Sequence, residues 1–190
     1  MAGERKQQIL ETLAHMLENP KREKVTTASL AAKLKVSEAA LYRHFANKAQ
    51  MFEGLIAFIE ETIFGLINKI STEETEGLRQ VQRTITMLLV FAEKNPGMTR
   101  VLIGDALVNE DEKLQLRINQ LYDRIEVTLK QSLRIAEAQN EHVQANTKGD
   151  AEAQANLIVC YVTGRWQQFV KSGFKRKPTE FVQQQLNMLN

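Results

Sequence analysis

A chain of 190 residues holds one large domain or two small ones, and its 43% apolar and 25% charged residues exclude disorder as its ground state. Nine glycines and three prolines are about half the usual share, which favours helices over a turn-rich β fold. The net charge of +2 is uneven: residues 1–50 hold nine Lys/Arg against five Asp/Glu, residues 51–190 sixteen against eighteen. A basic head on a mildly acidic body points to the head as the part that meets a polyanion. The lone Cys160 excludes an intramolecular disulfide. It lies among helical apolar residues and is expected to be a buried small hydrophobe. No apolar run approaches the ~18 residues of a membrane span. The N-terminus MAGERKQQILETL has no secretory apolar core, so a cytosolic, reduced protein is expected.

The first helix is predicted over 4–18, with Ile9, Leu13, Met16 and Leu17 on one face. Asn19-Pro20 ends it, and a polar connector, Lys21-Arg22-Glu23-Lys24, follows. A second helix starts at Thr26 or Thr27, either of which can cap it, and runs through Leu30, Ala31 and Leu34. After a break at Lys35-Val36, Ser37 caps a third helix with Ala40, Leu41 and Phe45 as its apolar side. Two short helices this close have helix-turn-helix proportions over about 26–45.

Asn47 caps a fourth helix running to about Ile70, with an apolar arc from Met51 to Ile70 that includes Leu66. Phe58 lies at the edge of that arc. Phe64 lies well off it and needs a second surface, from another helix or another protein. An acidic linker is predicted over 71–77, then a fifth helix over 78–94. Asn95-Pro96-Gly97 breaks the chain, and a sixth helix follows over 98–107. The seventh, over 111–137, carries Leu114, Ile118, Leu121, Ile125, Leu129 and Leu133, close to a coiled-coil seam. Residues 137–150 are polar and predicted to form a loop. The eighth helix spans 151–171, and the last begins at Pro178. Trp166 and Phe169 are among the apolar residues spread around the last two helices, which suits an obligate dimer interface.

In a helix-turn-helix the second helix enters the major groove and its first residues meet base edges. That makes Ser37, Glu38 and Ala39 candidates there. Ser37 serves a cap more readily than a base. Glu38 has two readings: an acceptor from cytosine N4, or a charge that stabilises the helix N-terminus. Thr26 and Thr27 can offer hydroxyls and N–H groups to phosphate. Tyr42, His44 and Lys48 can hold phosphates, and Arg43 can bind phosphate or reach a guanine.

The segment LAAKLKVSEAALYRHFANKAQMF resembles the DNA-binding signature of the TetR family of bacterial regulators. Lys35 stands at a turn position where such proteins usually have Gly. Ala46 replaces a frequent proline, so the start of the fourth helix is expected to be less rigidly fixed. The resemblance implies an all-α, TetR-like fold of about nine helices, with a DNA-binding head over 1–50 and a helical partner-binding and dimerisation body over 51–190. LIAFIEETI, AEKNPGMTRVLIGDALVNEDEKLQLRINQLYDRIE and FVKSGFKRKPTEF resemble the branch of that family that carries out nucleoid occlusion in gamma-proteobacteria. That likeness implies a nucleoid-associated homodimer that binds palindromic chromosomal DNA and the division GTPase FtsZ, disrupting FtsZ polymers over the nucleoid. It places FtsZ contact on the fourth and fifth helices, where this chain offers Phe58, Met87, Lys94 and Asn95.

His15, His44 and His142 are scattered, and no paired-ligand metal spacing, phosphate loop or nucleophile motif appears. Neither an enzyme, a metal, a cofactor, a membrane partner nor a small-molecule ligand is expected. A ligand-responsive repressor is the alternative; it requires a body pocket able to take a small molecule.

Overall fold

A computed structural model describes residues 2–19, 24–139 and 151–189, all helix and turn. Most of the predicted loop at 137–150, and residues 21–23 of the basic connector, lie outside the described residues. The helices are Ala2–Met16 (α1), Thr27–Leu34 (α2), Glu38–Tyr42 (α3), Lys48–Glu73 (α4), Gly77–Lys94 (α5), Pro96–Leu102 (α6), Glu112–Ala138 (α7), Ala151–Lys171 (α8) and Val182–Leu189 (α9), with a 3-10 turn at Asp105–Leu107. None is long and apolar enough to cross a membrane. Two compact units form: residues 1–60 with 95–118, and residues 61–94 with 119–190.

In the first unit α1 buries Ile9 and Leu13, with Leu17 just beyond it, α2 buries Leu30 and Ala31, and α3 buries Leu41, with Phe45 just beyond it. α6 packs on α1. The backbones touch at Gly97, where a Cβ would sit 1.9 Å from the Ala14 carbonyl oxygen. Burying a charge requires a partner and satisfied hydrogen bonds. Buried Arg100 has both, donating to Asp105 at 2.8 Å and to the Leu17 carbonyl at 3.1 Å.

In the second unit α8 packs on α5. Leu121, Ile125, Leu129 and Leu133 of α7 are all buried, as their spacing implies. Trp166 and Phe169 lie in this chain's own core rather than on a face left for a partner. The indole N–H donates to the Leu88 carbonyl at 3.2 Å, which satisfies its one polar group. Phe64 finds its second surface within the unit, beneath the Arg124 guanidinium 3.8 Å from the ring centroid.

Several boundaries differ from the sequence expectation. α4 runs on to Glu73 into the predicted linker, where Ser71 and Thr72 place their hydroxyls on the Ile67 and Asn68 carbonyls and so do not compete for the helix N–H groups. α6 begins at Pro96, whose missing N–H costs nothing at a first helical position. It stops before Gly104, which takes the left-handed conformation at φ 76. α9 starts at Val182 rather than Pro178. The Arg165 guanidinium gathers the Lys177, Pro178 and Glu180 carbonyls at 2.8–3.1 Å, oxygens that a helix would use internally. Leu66 is exposed although it falls within the apolar arc, and Cys160 is exposed rather than buried.

Candidate functional site

The helix-turn-helix is closed by local hydrogen bonds that the sequence supplies. Thr26, not Thr27, caps α2: its hydroxyl accepts the Ser29 N–H, and the Ser29 hydroxyl accepts the Thr26 N–H, a reciprocal capping box. α2 ends at Lys35, which takes left-handed φ 57 and ψ 44. The Lys35 N–H donates to Ala32 and the Val36 N–H to Ala31, satisfying carbonyls at the helix end. The turn thus keeps the geometry a glycine would give, with a lysine in it. Ser37 caps α3, accepting the Ala40 N–H at 3.3 Å.

Opposite the buried Leu41, the exposed residues Glu38, Ala39, Tyr42 and Arg43 recur at i, i+1, i+4 and i+5 and share one face of α3 and its end. Thr27 on α2 donates its hydroxyl to the Glu38 carboxylate at 2.7 Å. His44 is half-buried, its N–H on the Leu41 carbonyl. Asn47 caps α4 by accepting the Gln50 N–H at 2.8 Å, and Gln50 accepts the Ala46 N–H at 2.9 Å. The second bond needs an N–H that proline lacks, so Ala46 helps to fix this helix start, contrary to the expected loosening. The charge of Lys48 is engaged by an opposite one. Its ammonium is ion-paired with Glu110 and lies 5.5 Å from the Phe52 ring centroid.

The four candidates of the fourth- and fifth-helix region, of which Asn95 lies just past α5 at the start of α6, divide between the units. Phe58 and Asn95 are half-buried in the first; Met87 and Lys94 belong to the second. Met87 lines a groove of about 570 Å³ in the second unit with Leu66 and Ile70 of α4, Val90 of α5 and Leu186 of α9. Lys69, Glu73 and Arg83 give it a polar edge. Lys94 is exposed at the end of α5, one turn past Val90. Helical spacing read Leu66 as core, whereas it is exposed on this groove; Leu186, also on the groove wall, is buried.

On α8 the exposed Leu157 and Cys160 align with Gly164, where a Cβ would meet open space. Next to Trp166, the core of the second unit keeps a void of only about 10 Å³, lined also by Leu88, Tyr122, Ile125 and Val162. That is about the room one water needs. Burial there pushes the Tyr122 hydroxyl well above its ordinary pKa.

Residues 23–55 match the family described as bacterial regulatory proteins, tetR family, and residues 75–190 match a tetracyclin repressor-like C-terminal domain of the SlmA-like type. The chain is 51% identical over 176 residues to the nucleoid occlusion factor SlmA of Alteromonas mediterranea, covering 93% of this chain and 89% of that protein. It is 49% identical over 188 residues to SlmA of Shewanella pealeana, covering 97% and 92%. Among solved structures, the fatty acid degradation regulator FadR of Bacillus halodurans superposes with a TM-score of 0.78 at 16% identity over 97% of this chain and 93% of that one. PfmR, a TetR-family regulator of Thermus thermophilus, gives 0.76 at 20% identity over 95% and 96%. At these identities the two structures bear on the fold alone.

Proposed function

Since this chain belongs to the TetR family and, within it, to the family of the nucleoid occlusion factor SlmA, we propose that it is itself a nucleoid occlusion factor, a DNA-associated inhibitor of cell division. The observation that carries this reading is identity of about 50% to SlmA proteins along nearly the whole chain. The capped helix-turn-helix supports its DNA-binding part. Residues 1 to about 50 form the DNA-reading part, and α3 presents Glu38, Ala39, Tyr42 and Arg43 to base edges and phosphates. Thr26, Thr27, His44 and Lys48 contact the backbone, and Ser37 holds the helix start.

The protein acts as a homodimer, with the Leu157–Cys160–Gly164 face of α8 supporting a contact between two copies. Two heads on a two-fold axis read a palindrome with half-sites about one helical turn (~34 Å), or a multiple of it, apart. The body takes the C-terminal tail of FtsZ as an amphipathic peptide. The groove at Leu66, Met87 and Val90 supports this, with Lys94 nearby on α5 for an acidic residue. Bound to chromosomal DNA, the protein disrupts FtsZ polymers over the nucleoid, in the cytoplasm. Identity to SlmA proteins along nearly the whole chain favours this reading over a ligand-responsive repressor.

Selection of duplexes from a random pool tests the DNA part. Enrichment of one palindrome, with binding that weakens steeply in salt, is expected; equal binding to all sequences would overturn it. For the groove, Met87→Glu is expected to abolish binding of an FtsZ tail peptide while leaving palindrome binding intact. Unchanged peptide binding would remove the groove from the account.

A further inference from the structure

Lys48 opens α4, immediately after the helix-turn-helix, yet its ammonium is already held by an anion of its own chain. The turn that presents this anion is held by local hydrogen bonds. Asn109 adopts left-handed φ 65, a conformation that asparagine tolerates better than most residues. The Glu110 N–H donates to the Leu107 carbonyl at 3.0 Å, and Asp111 accepts the Lys113 N–H at 2.9 Å as α7 begins. Glu110 thus meets Lys48 from a hydrogen-bonded turn. The two side chains are 11% and 23% exposed, so the pair is largely shielded from solvent and from salt.

The neighbouring charges do not share this contact. Arg100 is committed to Asp105 and to the Leu17 carbonyl. Lys24 lies on the wall of the same cavity of about 180 Å³, a cation at hand for Glu110 if Lys48 leaves. A carboxylate and a phosphate at one ammonium repel each other, so Glu110 and a phosphate compete for Lys48.

We propose that Glu110 is an internal surrogate for a DNA phosphate: it occupies Lys48 in the DNA-free protein, and DNA binding transfers Lys48 from Glu110 to the duplex backbone. The inference rests on the reading of Lys48 as a phosphate contact. Its consequence is that Glu110, a residue outside the helix-turn-helix, sets DNA affinity. The exchange also frees the 105–111 segment from the start of α4 whenever DNA is bound.

The test is equilibrium binding of the full chain, wild type, Glu110→Gln, Lys48→Met and the double variant, to a palindrome selected by the wild type and to a random duplex, over a salt series. Glu110→Gln is expected to bind the palindrome about two- to fivefold tighter, the upper part of the range for an ion pair. The slope of log K against log salt should stay that of the wild type, because Lys48 reaches the same phosphate in both complexes, and should become shallower by about 0.9 only when Lys48 is removed. In the Lys48→Met background the same change should alter affinity less than about twofold, because the competition is gone.

An unchanged or weakened Glu110→Gln, or an equal gain without Lys48, would overturn the proposal, the latter because bulk charge alone would explain it. Glu110→Asp keeps the charge but shortens its reach. It is expected to give a smaller gain, and it carries the test should the glutamine variant fail to fold. The underlying reading fails separately: the wild type would then show no preference for any palindrome, or Lys48→Met would bind as the wild type does.

Discussion

The Thr27 hydroxyl donates to the Glu38 carboxylate at 2.7 Å, joining the first turn of α2 to the first turn of α3. A carboxylate on the face offered to DNA repels phosphate, so its aim matters. Held by Thr27, Glu38 has one oxygen committed and keeps acceptor capacity for a base. Glu38→Ala is expected to strengthen binding to random duplex and to lose about 1–3 kcal/mol of discrimination at one base pair of each half-site. Thr27→Val should weaken discrimination at that same base pair by releasing the carboxylate. Parallel selection with each variant checks this; a loss spread evenly over all positions would give Glu38 a purely local role at the helix terminus.

The left-handed Lys35 stores strain that glycine would not carry. Lys35→Gly is expected to raise stability by about 0.5–1 kcal/mol, the αL penalty less the extra chain entropy of glycine. Urea denaturation should show a higher midpoint at unchanged m. Lys35→Val, with a β-branched side chain in the same conformation, should lower the midpoint.

At Gly97 the clash partner is backbone rather than a flexible side chain. Gly97→Ala would force α6 away from Ala14, and a cost of about 3 kcal/mol or more is expected from such overpacking. Thermal unfolding followed by circular dichroism measures it.

Trp166 fills the centre of the second unit and is the only tryptophan of the chain. Trp166→Ala should cost about 3–5 kcal/mol and open an apolar cavity. Indole added to this variant should restore part of the lost stability, since a ligand bound only by the folded state stabilises it. The same addition should not stabilise the wild type, whose void is about 10 Å³.

What could be read from the sequence was what local chemistry decides. Ser37 and Asn47 are caps by residue type, whereas residue type left Thr26 and Thr27 equal and the Ser29 box chose Thr26; the burial of Leu121, Ile125, Leu129 and Leu133 follows from helical spacing. What could not be read depends on partners distant in the chain. The helix expected at Pro178 is displaced by Arg165, twelve residues earlier than the first carbonyl it binds. Lys48 is engaged by Glu110, 62 residues away, and nothing local to either residue signals the pair. Leu66 and Cys160 sit on apolar helical stripes, and periodicity alone does not tell a core position from an open groove or face. Trp166 and Phe169 show the converse error, core residues read as interface.

The account joins two activities, duplex recognition and action on FtsZ, and sedimentation of FtsZ polymers with this protein tests the junction most directly. Assembled FtsZ is pelleted with the protein and either the selected palindrome or its scrambled sequence. Loss of pelleted polymer with the palindrome, and not with the scramble, is the result expected of a DNA-dependent division inhibitor. Pelleted polymer unchanged under both conditions would contradict the account.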